Sequence, residues 1–146
     1  MGKNKFIQEE SLGYLLDVAH RKLHRKLIDT FNGSGYNVTP DQWEILVSLH
    51  NDGEQYQSQI ALSQKKDRAS IKRLVDHLLN KGLINRTASE NDERTNIISL
   101  TEEGITVVIS LNALATQILD NVENGFSGAD VILLKQLLNH LITDLK

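Results

Sequence analysis

The chain has 146 residues, 40% hydrophobic and 24% charged, with one proline and no cysteine. That balance fits an ordinary globular, helix-rich protein and excludes fibrous and disordered chains, disulfides, thiolate metal sites and cysteine nucleophiles. The formal net charge is only -3, but seven cations face two acids between Gln59 and Ala88, a local +5, while two lysines face six acids from Ile97 onward, a local -4. Because screening confines charge effects to about 10 Å, this polarity matters more than the sum.

The opening MGKNKFIQEES lacks an apolar signal core, and no uninterrupted apolar run approaches the roughly 20 residues of a membrane span. A cytoplasmic protein with no membrane partner is expected. Residues about 9–32 carry Leu12, Leu16, Ala19, Leu23, Leu27 and Phe31 at three-to-four spacing, which predicts one amphipathic helix stopped by NGSG. In TPDQWEILVSL, Thr39 can cap, Pro40 fits the first helical position and Gln42 closes a capping box, so a second helix runs to about Asn51.

YQSQIALSQ reads as a short helix capped by Ser58, with Ile60, Ala61 and Leu62 turned inward. After the turn KKD, Asp67 caps another helix whose stripe is Ile71, Leu74, Val75 and Leu78, and Gly82 suits its left-handed stop. Two short helices joined by a tight turn make a helix-turn-helix.

Past Gly82 the period becomes strand-like in LINRTA and TNIISL, a hairpin with a long polar tip around SENDER. Thr101 with Glu102 and Glu103 then opens a long helix, acids at its positive end, with a stripe of Ile105, Val108, Ile109, Asn112, Ala115, Leu119 and Val122. NGFSG breaks it. Ser127 and Asp130 form a second capping box that opens a last helix striped by Leu134, Leu137, Leu138, Leu141 and Leu145.

The expected fold is therefore mostly α with a small β-hairpin wing, a winged helix-turn-helix. It is read as a single domain, 1–146, with a DNA-binding lobe at about 37–100 between dimerisation helices at about 9–32 and 101–146.

Three motifs stand in order between Asp67 and Gly104: LLNKGLINR, Asp92-Glu93-Arg94, and Leu100-Thr101-Glu102-Glu103-Gly104. Together they closely resemble the signature of the MarR family of bacterial transcriptional regulators, L-x-x-K/R-G-L-I/V-x-R, D-x-R and L-T-x-x-G. The resemblance implies a homodimer that binds a pseudo-palindromic operator in double-stranded DNA, most often as a repressor. It also implies a small-molecule effector, such as a phenolic anion, seated between dimerisation helices and DNA-binding lobe. The family often has Thr-Arg where this chain has Lys72-Arg73, which adds a charge, removes a short hydroxyl and bears on base preference.

An α-helix fits the major groove, and the N-terminal end of a recognition helix meets base edges. Here that end offers Arg68, Ala69, Ser70, Lys72 and Arg73, with Arg68 and Arg73 the foremost candidates for base contact. Lys65 and Lys66 in the turn, and Ser58 or Gln59 at the preceding helix start, suit phosphates. In the wing, Arg94 suits a narrow minor groove, Asp92 can orient its guanidinium, and Arg86 stands at the base. The plain alternative is a solvated surface helix in which Lys72 and Arg73 pair with Asp76. A winged-helix protein-interaction module without an operator is the alternative reading.

For the effector, Tyr14, His20, Arg21 and Trp43 are the candidate pocket residues. His20 and His24 lie one helical turn apart, a metal-ligand spacing, but Arg21, Lys22, Arg25 and Lys26 oppose a divalent cation, so no metal and no cofactor are expected. No Gly-rich phosphate loop, Ser/His/Asp set or HExxH arrangement occurs, so no enzyme is expected.

Overall fold

The computed structural model describes residues 5–88 and 96–145. A 3-10 turn (Gln8–Glu10) precedes α1 (Leu12–Ser34), α2 (Pro40–Asp52), β1 (Gln55–Tyr56), α3 (Gln57–Gln64) and α4 (Arg68–Asn80). Then come β2 (Ile84–Ala88), β3 (Asn96–Leu100), α5 (Glu102–Glu123) and α6 (Gly128–Asp144). The backbone divides into two compact units, Met1–Asn112 and Ala113–Lys146, the division falling within α5. This is the mostly α fold with a small antiparallel sheet that the sequence predicts.

Capping chemistry sets most helix ends. Thr39 Oγ1 accepts from the Gln42 N–H and Gln42 Oε1 accepts from the Thr39 N–H, each at 3.2 Å, completing the box at α2. Asp67 Oδ1 accepts from the Ser70 N–H at 2.7 Å, and Ser127 Oγ accepts from the Asp130 N–H at 3.1 Å. At the far end of α4 the Leu83 N–H reaches Leu78 O (3.1 Å) and the Gly82 N–H reaches Leu79 O (3.0 Å), with Gly82 at φ 73. These paired bonds are the left-handed stop that Gly82 predicts.

Two ends differ from expectation. α1 runs through Asn32 and Gly33, because the left-handed stop is taken by Gly35 at φ 82. α3 starts one residue before Ser58: the cap is Tyr56, whose N–H is accepted by Gln59 Oε1 at 2.9 Å, so a glutamine reaching back replaces a capping hydroxyl. Leu62 is 80% exposed instead of inward. In a two-turn helix Ile60 and Ala61 fill the inner face, and Leu62 lies roughly 200° round from Ile60.

The sheet has three strands in the order β1-β3-β2, all antiparallel, with Gln55 opposite Ile98 and a β2–β3 register from Ile84↔Leu100 to Ala88↔Asn96. β1 is the strand the sequence does not reveal, since two residues carry no alternation. Gln55 is held there by its Nε2, which donates to Ser48 O at 3.1 Å. Ile45, Leu46, Ile60, Ile71, Val75, Leu78, Ile98, Val108 and Leu111 form the centre of the core.

The rotation of α5 is a correction. Gly104, Val107, Val108, Leu111, Ala115 and Ile118 are buried, whereas Ile105, Ile109, Leu119 and Val122 are exposed. The helix is apolar around much of its circumference, so its own pattern allows two neighbouring stripes. Gly104 chooses between them, because a Cβ there would lie 2.0 Å from Leu83 O. Thr101 fixes the same corner: its N–H donates to Leu83 O (3.1 Å), its hydroxyl donates to Gly82 O (2.8 Å), and its Oγ1 accepts from the Gly104 N–H (3.0 Å). By length and composition α5 could cross a membrane, but its Val107, Val108 and Leu111 belong to the protein core.

The predicted stripes of α1 and α6 are only partly covered. On α1 only Phe31 is buried, and Leu12 and Leu15 are exposed. No residue of α6 is buried, and Leu134 and Leu137, with Leu145 just past its end, are more than half exposed.

Candidate nucleic-acid interface

α4 turns Ile71, Val75 and Leu78 into the core and leaves Arg68, Ala69, Lys72 and Arg73 exposed. This division places the short and cationic side chains on one accessible face at the helix start. Ser70 belongs to the cap: its hydroxyl donates to Asp67 Oδ2 at 2.9 Å, and its oxygen lies 3.5 Å from Arg73 Nη2. The Ser70 backbone N–H, and then its hydroxyl, hold the Asp67 carboxyl below its ordinary range. Among the described residues neither Arg68 nor Arg73 has a carboxylate within salt-bridge distance.

Lys72 and Arg86 are differently placed. Lys72 Nζ lies 3.0 Å from Asp76 Oδ2, as its helical spacing predicts, and Arg86 Nη1 lies 3.2 Å from Asp76 Oδ1. Arg86 thus occupies the carboxylate oxygen that helical spacing offers to Arg73. It joins β2, at the base of the hairpin, to α4.

The two turn lysines separate. Lys65 is exposed and sits in the left-handed region at φ 53, where the Lys65 N–H reaches Leu62 O (3.2 Å) and the Lys66 N–H reaches Ala61 O (3.1 Å). A glycine usually fills this position, since a side chain there is strained. Lys66 instead folds back onto α2, 3.1 Å from Asp41 Oδ1 and 3.4 Å from Glu44 Oε2. Burial works against its charge, but the Asp41 hydrogen bond and the two carboxylates outweigh it and raise its pKa. Ser58 and Gln59 are exposed at the start of α3, with Gln59 Oε1 already engaged by Tyr56. Asp92 and Arg94 lie outside the described residues.

Of the candidate effector residues, Trp43 packs edge-on to Phe31 with ring centroids 5.4 Å apart and donates its Nε1–H to Asn112 Oδ1 at 2.8 Å. It also borders an open cleft of about 310 Å³ with Glu44, Val47, Ser48, Asp52, Ser63 and Gln64. Tyr14, His20 and Arg21 are on α1, with Arg21 paired to Asp17 at 3.1 Å and the His20 ring 5.5 Å from that of His24. Among the described residues no three acidic or histidine groups gather as a metal site.

Sequence reasoning missed the polar brace that joins the end of α4 to the buried Gln42. Lys81 Nζ donates to Gln42 Oε1 at 2.8 Å and to Asn37 O, and Gln42, 4% exposed, approaches His77 Nδ1 at 3.5 Å. Partial burial lowers the Lys81 pKa. The capping box that reveals Gln42 gives no sign of its second partner, which is 39 residues away.

The MarR family profile matches residues 38–95. A curated HTH-type transcriptional regulator of Bacillus subtilis strain 168, YhbI, is 35% identical over 69 residues, 47% of this chain, and the match spans only 45% of YhbI itself. The structure of a probable transcriptional regulator from Pseudomonas aeruginosa is 30% identical, with a TM-score of 0.77 over 92% of this chain and 99% of that one. A mutant MarR of E. coli, crystallised with operator DNA, superposes with a TM-score of 0.84 over 94% of this chain and 99% of that one, at 21% identity.

Proposed function

From the premise that this chain belongs to the MarR family of DNA-binding transcriptional regulators, we propose that it acts as a homodimeric repressor on a pseudo-palindromic operator. The observation that carries this reading is the exposed start of α4, where Ala69 and Arg73 lie roughly opposite the buried stripe, Arg68 is exposed on its flank, and neither arginine has a carboxylate within salt-bridge distance among the described residues. Arginine can hold guanine through two parallel hydrogen bonds, and Ala69 between them leaves room for a base edge. Lys65 and the start of α3 suit phosphates, and Arg94 suits the minor groove. Lys66 is assigned to the fold, since two carboxylates hold it.

A dimer is proposed because α1 and α6 each carry apolar side chains that the chain itself leaves exposed. Two-fold symmetry would then place two recognition helices about 34–36 Å apart on one DNA face. A small aromatic anion is the proposed effector class, with Tyr14, His20, Arg21 and Trp43 as the residues to probe. The proposed site of action is the cytoplasm, where the operator lies, and no catalytic role is proposed.

The test is selection of bound duplexes from genomic DNA, followed by titration at several salt concentrations. The expected result is an enriched inverted repeat whose affinity falls roughly a thousandfold or more between 50 and 200 mM salt. Absence of salt-sensitive binding would reject the operator reading and favour a protein-interaction module.

A further inference from the structure

Asp76 receives two cations from two different elements. Its Oδ2 takes Lys72 Nζ of α4 at 3.0 Å, and its Oδ1 takes Arg86 Nη1 of β2 at 3.2 Å. The three side chains are accessible but not loose: Asp76 is 37% exposed, Arg86 35% and Lys72 66%. Hydrogen bonds from Lys72, then from Arg86, outweigh partial burial and keep the Asp76 carboxyl ionised below its ordinary range. A carboxylate at this place is unexpected on charge grounds alone, because it stands beside the face proposed to meet a polyanion.

We propose that Asp76 is a specificity-determining positioning residue, which holds Lys72 and Arg86 in a fixed pair and thereby limits their use by DNA of the wrong sequence. This inference rests on the DNA-binding reading above. Two cations sharing one carboxylate carry a local charge of +1, and a phosphate must displace or share the carboxylate to reach either of them. Random DNA offers phosphates alone to make that exchange. An operator docks through base contacts from Arg68 and Arg73 as well, and these contacts bring its phosphates to the preset positions of Lys72 and Arg86. The same pair fixes the wing base against the recognition helix, so both elements meet the duplex in one register.

The two effects separate on removing the charge while keeping the shape. Asp76→Asn frees both cations, so affinity for a random-sequence duplex should rise about 3- to 10-fold, with the salt dependence steeper by about one released counterion. Operator affinity should rise less or fall, so the ratio of operator to random binding drops about tenfold. Asp76→Glu, which restores a carboxylate, should recover most of that ratio. Adding Arg86→Gln to Asp76→Asn should remove much of the extra random-DNA affinity.

Binding is measured by fluorescence anisotropy on the selected operator duplex and on a random duplex of equal length, with a thermal melt of each variant. An unchanged ratio and salt slope in Asp76→Asn would overturn the inference. So would a parallel loss on both duplexes with a lowered melting temperature, which is the mark of a merely structural residue. Wild-type protein without salt-sensitive binding to either duplex would instead overturn the DNA reading itself, and the inference with it.

Discussion

Lys66 Nζ sits 3.1 Å from Asp41 Oδ1, linking the helix-turn-helix turn to the start of α2, while its neighbour Lys65 stays exposed in a left-handed backbone conformation. Two adjacent lysines should therefore have separable roles. Lys66→Ala should lower stability by about 0.5–1 kcal/mol, the scale of a largely exposed ion pair with some burial, and change the salt slope little. Lys65→Ala should leave the melting temperature nearly unchanged and weaken all DNA alike, reducing the salt slope by about one. Lys65→Gly should bind as weakly as Lys65→Ala but be more stable by about 1 kcal/mol, because glycine accepts φ 53 without strain. Chemical denaturation beside anisotropy titrations separates these outcomes, and equal stability of the Gly and Ala variants would refute the strain.

Arg73→Ala should lose about 1–3 kcal/mol of discrimination at one operator position, as expected for a bidentate base contact. Binding to duplexes mutated at each position in turn is the measurement. A uniform loss across all positions would reassign Arg73 to phosphate.

Gly104→Ala should destabilise by roughly 2–4 kcal/mol, because the new methyl would lie 2.0 Å from Leu83 O, a backbone atom with little freedom to retreat. Thr101→Val at the same corner should cost about 1 kcal/mol through loss of the cap at Gly104. Urea midpoints check both, and a wild-type midpoint for Gly104→Ala would refute the close approach.

Asp67 and Asp76 both titrate below the ordinary carboxylate value of 3.8 in the folded chain. The unfolded chain then binds more protons between the folded and unfolded pKa values, so stability rises with pH there. Their contribution is fully present above the ordinary value and is lost as pH falls through it toward the depressed folded values. Melting temperatures from pH 6 to pH 2.5 should therefore fall less steeply in Asp67→Asn and Asp76→Asn than in wild type. Parallel curves would show that neither carboxylate is stabilised as the geometry implies.

Leu137 of α6 is 57% exposed. Leu137→Glu should leave the helical circular dichroism unchanged and shift sedimentation to the 16.4 kDa of one chain, with operator affinity lost in parallel. A wild-type protein that already sediments as a monomer at micromolar concentration would end the dimer proposal.

Much of this protein was legible in its sequence because the signals are local. Thr39 with Gln42, Asp67 with Ser70, and Gly82 each set a helix end through bonds spanning three to five residues. The core face of α4 followed from period alone, since Ile71, Val75 and Leu78 are its only large apolar choices apart from the half-buried Leu74 and Leu79 on their flanks. Tertiary structure decided what depends on partners distant in the chain. β1 exists because β3 is beside it, and Arg86 found Asp76 because a tight turn brought β2 back along α4. Lys66 pairs with Asp41, 25 residues earlier, because the fold brings the two within reach. α5 could have turned either of two apolar stripes inward, and its rotation was settled by the one position, Gly104, where backbone meets backbone too closely for any side chain. Local hydrogen bonding is written in neighbouring residues, whereas close packing and long-range charge pairing arise only when the folded chain brings distant residues into contact.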